Sequence, residues 1–473
     1  MKTLKLWDNS LHKPQGRPPA GETWNGRPIK ELDQEKVDFD RLRKLSGDLN
    51  SRLHDKGFVE KNLYLLGENY EHNTDDNLLN VLGWNDDNYM IETGNLVGSV
   101  LTQKLALNIS SRFGDEFLKY LIINTEGFLE IPETGNVGKG GLYNWLMVFL
   151  WKNSLKRAYR LGIPKQYIAQ HDRLFTVKGN VDVLDFAVNR GKDGRTLCHF
   201  YQHDFNNPVT QLISYTFSKI EQKELIKDCI QLKNTFESCV EGKRQSLEAC
   251  LDTRPVTNPY YAEYNKVISL SKNILRRRFG DITDSSDISS AFLFDMSMLF
   301  EHYIRKVLKK HFTLFPKNEE SMTISSGLGR DNDRHLYPDV VLDLGPDGNG
   351  KKNIKVFDVK YKHFDTKYGI KREDLFQLHT YVLYLSNYYN VLSCGIIYPQ
   401  EGNTIEDTES ILQHPQYIEG IPLQVLFFNI PKVEYSILPT LPAKERDVKM
   451  NKIQEDFIKD IKEQEELFVD KFL

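Results

Sequence analysis

At 473 residues the chain is longer than one ordinary domain, and two or three domains are expected. Its 40% hydrophobic and 27% charged residues are those of a folded protein with a polar surface. No apolar run approaches a membrane span and Met1–Asp8 lacks a signal-peptide core, so a membrane protein is not expected and a cytoplasmic one is. A net charge of −4 poorly suits a protein that grips DNA unaided, because nonspecific affinity comes largely from neutralised phosphates. Cys198, Cys229, Cys239, Cys250 and Cys394 show no CxxC spacing, so reduced thiols are expected and zinc is not.

Residues 1–87 are polar and irregular, with a turn-rich opening at 16–21, a charged helix expected over 33–55 and a strand at 63–66. No chemistry is read in this stretch. The pattern then turns to strands at 89–92, 96–101 and 105–109, followed by a helix carrying Phe117, Tyr120 and Leu121, as in a small β-rich module. Gly135-Asn136-Val137-Gly138-Lys139-Gly140-Gly141 invites a phosphate-loop reading. It lacks the Walker spacing and a preceding strand, and a mobile loop is the better reading. Residues 142–161 have the density of a buried helix, which Pro164 cannot continue. A strand broken at Gly179 is expected over 174–183. His199, His203 and Asp204 offer metal ligands. The favoured alternative is a turn whose Asp and Asn side chains bond the backbone and start the next helix. Residues 208–280 read as two or three helical segments.

A further helix is expected over 289–312, burying Phe292, Met296, Leu299, Phe300, Tyr303 and Ile304. Glu301 lies at the edge of that stripe, where it is either an additional metal ligand or a surface acid paired with Arg305 one turn on. Arg276-Arg277-Arg278, Lys309-Lys310-His311 and 367–372 are basic clusters that could guide DNA or simply be solvated faces.

The densest chemistry lies in 336–381. Leu336-Tyr337-Pro338-Asp339-Val340-Val341-Leu342 and Val356-Phe357-Asp358-Val359-Lys360-Tyr361-Lys362 flank the turn-rich 345–350 and read as a β-hairpin. Side chains alternate along a strand, so Asp358 and Lys360 share one face, and Asp339 can reach the same corner. Two carboxylates beside one lysine suit a hard divalent cation such as Mg2+ (Mn2+ as the alternative), which takes oxygen ligands and polarises water. A lone Asp-Val-Lys is usually a solvated edge; the hairpin context and the next helix argue otherwise. That helix, over 372–386, has Leu375, Leu378, Val382 and Leu385 as its core face, and Gln377 and Tyr381 together on another. Residues 391–399 read as a central buried strand, 423–428 as the last strand, and 443–473 as a charged amphipathic helix, either a partner surface or a docked tail.

These residues resemble the PD-(D/E)xK nuclease superfamily, and the wider set of motifs resembles the McrC family, the nuclease subunit of McrBC-type restriction systems. The carriers are Ser111-Arg112-Phe113-Gly114-Asp115, Ile163-Pro164-Lys165-Gln166-Tyr167 with Val177-Lys178-Gly179-Asn180-Val181-Asp182, Phe205-Asn206-Asn207-Pro208, Asp295-Met296-Ser297-Met298-Leu299-Phe300-Glu301, and the hairpin site itself. The resemblance covers about 88–430 and implies a mixed α+β fold: an extension (1–87), a β-rich and helical region that binds the partner (88–210), a helical connector (211–283), a PD-(D/E)xK nuclease domain (284–440) and a charged C-terminal helix (441–473). It implies that Asp339 and Asp358 ligate Mg2+, with Glu301 as a less certain third ligand. Lys360 would be catalytic, with Gln377 and Tyr381 supporting it. It further implies an endonuclease subunit, acting on double-stranded DNA in antiviral defence, that docks on and stimulates a hexameric AAA+ GTPase or ATPase ring like McrB. The alternatives are a non-catalytic regulator of the ring and a stand-alone nuclease.

Overall fold

The computed structural model describes residues 2–13, 23–24, 27–31, 39–53, 63–64, 78–86, 88–102, 105–125, 141–189, 194–220, 223–240, 244–279, 288–316, 322–325, 334–348, 350–402, 416–433 and 443–473. The fold is mixed α and β, and the chain divides into two compact units, Met1–Thr134 with Ala291–Leu473, and Gly135–Ser290. Residues 88–125 therefore group with the C-terminal part of the chain. The glycine-rich stretch at 135–140 lies outside the described residues.

The first unit opens with β1 (Lys2–Trp7) and β2 (Leu11–Lys13), then, after further elements, β3 (Asn88–Thr93), β4 (Leu96–Thr102), β5 (Leu105–Ser110) and α1 (Asp115–Thr125). The expected β-rich module is split between two sheets. β1 runs parallel to β5, which pairs antiparallel with β4, whereas β3 pairs antiparallel with β2. The N-terminal residues are thus built into both sheets, and Leu4, Leu6 and Leu11 are buried.

The helix expected over 289–312 divides into a strand, β6 (Ile288–Asp295), and a helix, α2 (Met296–Lys309). Asp295 makes the break. Its carboxylate accepts from the amides of Ser297 (2.9 Å) and Met298 (3.3 Å), as an N-cap does, and so fixes the helix start. The run Ser-Ser-Ala-Phe-Leu-Phe before it has no polar face to show its period, and β6 lies beside β4 in the sheet.

The expected hairpin is present as β7 (Val340–Pro346) and β8 (Lys352–Val359), antiparallel, with Val340 opposite Phe357 and Val341 opposite Val356. α3 (Arg372–Ser386) crosses to β9 (Asn390–Glu401), which lies parallel between β8 and β10 (Ile421–Ile430). β9 is buried over most of its length, as its apolar run requires. Leu378 and Val382 of α3 pack on Cys394, Ile396 and Tyr398 of β9, which seats the helix against the sheet. The C-terminal helix α4 (Ala443–Asp470) is a docked tail: buried Glu465 accepts from the hydroxyls of Tyr120 (2.8 Å) and Tyr303 (2.9 Å) and pairs with Lys310 (2.7 Å).

In the second unit the helix Gly141–Tyr159 buries Trp145 and Trp151 and ends before Gly162, which takes a φ of +85°. The strand expected over 174–183 lies earlier, at Gln166–Leu174, and pairs antiparallel with Thr196–Asp204; of the expected stretch, Leu174 and Asn180–Val181 are strand. The short helix Val183–Asn189 that follows buries none of its side chains.

Among the described residues no helix is long and apolar enough to cross a membrane. In the sheet that carries β7–β10, Gly395 has no room for a side chain. A Cβ there would meet the Gln424 carbonyl oxygen at 2.4 Å and the Phe357 ring at 2.9 Å. Gly395→Ala is expected to push β10 off β9 and lower stability by about 1–3 kcal/mol, read as a lower urea midpoint; an unchanged midpoint contradicts this packing.

Candidate active site

Three elements of the first unit place the site. Pro338 fixes the backbone that enters β7, and Asp339 stands at its threshold, with its carboxylate accepting from the Val359 amide at 2.8 Å. That bond ties the start of β7 to the end of β8. Arg305 of α2 donates to the main-chain carbonyl oxygens of Asp339 and, at 3.0 Å, of Phe315, so the turn is held from the helix side as well.

Asp358, on β8, is fully buried. Lys360 Nζ lies 2.7 Å from its Oδ2, yet neither carboxylate oxygen accepts a well-directed hydrogen bond. Burial first, and then the neighbouring Asp339 carboxylate, hold Asp358 well above the usual carboxylate range, against the opposing pull of Lys360. For Lys360 the balance runs the other way. Burial opposes its charge, but the carboxylates of Asp358, Asp339 and Asp374 outweigh it and keep the ammonium above the ordinary lysine range.

The helix α3 completes the corner. Lys360 Nζ donates to Gln377 Oε1 at 2.7 Å, Gln377 Nε2 donates to the Tyr381 hydroxyl at 2.7 Å, and Tyr381 donates to the Tyr337 carbonyl at 3.2 Å. This chain of contacts runs from the lysine back to the residue before Pro338. It also sets the amide of Gln377: its oxygen faces the cation and its nitrogen the phenol. Tyr381 is buried, its phenol pushed up by burial and by the charges of Asp358, Asp339 and Glu301. The structure therefore brings Asp339, Asp358, Lys360, Gln377 and Tyr381 together and puts Glu301 within electrostatic reach of Tyr381 and Arg305.

Asp374 was missed by the sequence reading. It is 4% exposed, pairs with Lys362 at 3.0 Å and lies 3.8 Å from Lys360. The signal was available, since Asp374, Gln377 and Tyr381 follow i, i+3, i+7 spacing on one helix face.

His199, His203 and Asp204 do not assemble into a metal site; no such cluster exists among the described residues. His199 abuts His171 and pairs with Asp182 at 3.2 Å. Asp204 accepts from the Asn206 amide at 2.8 Å, and Asn207 caps the helix Pro208–Lys219, so the turn reading holds.

A buried carboxylate without well-directed partners and a second carboxylate beside it form an oxygen donor set that fits a small divalent cation, with a fixed ammonium next to them. Chemically, this corner can hold such a cation and place a positive charge on an anionic substrate.

The model of the McrBC 5-methylcytosine restriction system component family matches residues 91–399, and the chain belongs to that family. Among solved structures it is similar to a chain of the half-complex of Thermococcus gammatolerans McrB AAA+ hexamers with bound McrC, at 12% identity and a TM-score of 0.47, over 96% of this chain and 100% of that one. It is also similar to a chain of the Thermococcus gammatolerans McrBC complex, at 13% identity and a TM-score of 0.35, over 67% and 90%. No curated protein matches the chain.

Because the folded protein raises the pKa of Asp358, its ionisation is penalised on folding. The contribution of this group to stability is then greatest below the ordinary aspartate pKa and falls as pH rises towards the folded value. Asp358→Asn removes that penalty and is expected to raise the thermal midpoint at neutral pH in metal-free buffer. A lower midpoint would show that the carboxylate is well solvated or paired in the apo state.

Proposed function

We propose that the chain is a Mg2+-dependent endonuclease subunit of a two-component restriction system, cutting double-stranded DNA while docked on a AAA+ GTPase or ATPase ring. The reading rests on one observation above the others: Asp358 is buried between Asp339 and Lys360 with its oxygens poorly satisfied, and Lys360 is held in place by Gln377. Membership of the McrBC family supports it.

Asp339 and Asp358 would hold the cation, which when bound supplies a polarised water and neutralises charge developing on the phosphodiester. Lys360 presents a fixed positive charge to the scissile phosphate or the attacking water. Gln377 sets the direction of the ammonium, and Tyr381 sets Gln377. Glu301 is a further candidate oxygen ligand from α2. PD-(D/E)xK is the nuclease class this arrangement resembles. The loop between β8 and α3 suits a polyanion. Asp365 accepts from the amides of Lys367 (2.8 Å) and Tyr368 (3.1 Å), which orders a turn that leaves Lys367 and Tyr368 exposed, with Lys371 and Arg372 following. Lysine, arginine and an exposed aromatic ring in one loop match a phosphate backbone and its sugars.

The test is plasmid cleavage with Mg2+, nucleotide and the AAA+ partner, comparing wild type with Asp339→Ala and Asp358→Ala. Both variants are expected to lose cleavage by a factor of about 100 or more while still assembling with the ring. Retained cutting in both would sink the reading, and faster nucleotide hydrolysis without any cutting would favour a regulator.

The second unit carries what a docking subunit needs. Val183, Leu184 and Val188 of the short helix are 73, 79 and 75% exposed, and Phe175 and Tyr201 nearby in the chain and sheet are 74 and 71% exposed. So much exposed apolar surface marks a protein interface. Leu184→Asp with Val188→Asp is expected to weaken association with the ring by tenfold or more, on the order of 1.4 kcal/mol or above, in a pull-down or by analytical ultracentrifugation. Unchanged assembly would move the interface elsewhere.

A further inference from the structure

The peptide that carries Lys360 is gripped from the N-terminus of the chain. Asn9, in the turn between β1 and β2, donates its side-chain amide to the Tyr361 carbonyl at 3.1 Å in a buried contact. Tyr361 is 1% exposed. The Arg112 guanidinium lies 4.3 Å from its ring centroid, and the rings of Phe113 and Phe300 pack at 5.9 and 5.8 Å. Its hydroxyl lies 3.4 Å from Ser111 Oγ and faces Asp8. Asp8 in turn accepts from the Arg112 amide at 2.6 Å.

The turn itself is anchored to both N-terminal sheets. The Asp8 amide donates to Ser110 at the end of β5, and the Asn9 amide to Gly94, just after β3, each at 2.9 Å. Beyond Tyr361 the support comes from the central sheet. β8 ends at Val359, and the Lys360 amide then donates to the Ile397 carbonyl of β9 at 2.9 Å. The lysine peptide is thus pinned by β9 on its N-terminal side and by Asn9 on its C-terminal side.

Asn9 has a φ of +46°, a left-handed backbone that glycine adopts at least as easily. The turn alone does not require an amide there. Its side-chain amide donates to the Tyr361 carbonyl and, at 3.4 Å, to Asn95 Oδ1.

We infer that Asn9, with Asp8 and Arg112 closing around the Tyr361 ring, is a positioning residue for Lys360. It holds the lysine peptide against β9 so that the ammonium meets Asp358 and Gln377 together. Asp8 and Asn9 lie outside the 91–399 stretch matched by the family model. The inference rests on the nuclease reading for its effect on rate, but not for its effect on local structure.

The experiment uses the full-length chain and three variants, Asn9→Gly, Asn9→Asp and Asn9→Ala. Two readouts are taken: hydrogen exchange of peptides spanning 357–364, and kcat and KM for DNA cleavage with the partner ring. Asn9→Gly keeps the left-handed turn and Asn9→Asp keeps the shape, yet neither can donate to Tyr361. Both are expected to fold, with a midpoint lowered more in Asn9→Asp, which buries a carboxylate against the Tyr361 carbonyl, to exchange faster at 357–364, and to lose about tenfold or more in kcat with KM unchanged. If Asn9→Gly exchanges like wild type and only Asn9→Ala is impaired, Asn9 serves the turn alone and the inference fails. If wild type does not cut while Asn9→Gly still exchanges faster at 357–364, the nuclease reading fails and the positioning role stands. Unchanged exchange in both Asn9→Gly and Asn9→Asp overturns the inference whatever the cleavage rates are.

Discussion

The site depends on how Asp358 is kept. A carboxylate with no exposed surface, facing another carboxylate, is costly to ionise, and the fold does not relieve that cost with amide donors. It places a lysine 2.7 Å away and surrounds that lysine with three acids. The lysine alone leaves Asp358 raised. The nearby elements fix the groups around it. Asp339 is tied to β8 through Val359, Arg305 holds the Asp339 carbonyl, and α3 directs the ammonium through Gln377.

The sheet makes the arrangement rigid. β8 is hydrogen-bonded on both sides, to β7 and to β9, so Asp358 sits on a strand that cannot shift without breaking two ladders. α3 lies on the same sheet, and its inner face carries the polar set Asp374, Gln377 and Tyr381 beside the apolar set Leu378 and Val382. One helix face therefore both seals the core and finishes the site. From the opposite side of β8, Phe357 meets Phe472 at 5.0 Å, so the tail of the chain backs the strand that bears the aspartate.

What was legible in the sequence was local. The hairpin followed from alternation around a turn-rich segment, and α3 from its apolar spacing; the Gln377–Tyr381 pair is a one-turn neighbour on that helix. The central strand β9 followed from an unbroken apolar run. What was not legible was non-local or ambiguous in period. Ala291-Phe292-Leu293-Phe294 of β6 offers no polar face to separate strand from helix, although Asp295 just ahead of Met296 is an N-cap signal. The parallel pairing of β1 with β5 joins residues about a hundred positions apart, and a single sequence does not state such pairings. The same is true of the Asn9–Tyr361 bond, which spans 352 positions, and of Arg305 reaching Asp339.

The proposed function requires Asp339 and Asp358 to hold a divalent cation, although burial opposes the ionisation of Asp358. The most direct measurement is calorimetric titration of Mn2+ or Mg2+ into the full-length chain near neutral pH, repeated in buffers of different ionisation enthalpy, for wild type and Asp358→Asn. The account predicts wild-type binding with net proton release, lost in the variant. Equal binding by both, or wild-type binding with no proton released, would contradict it.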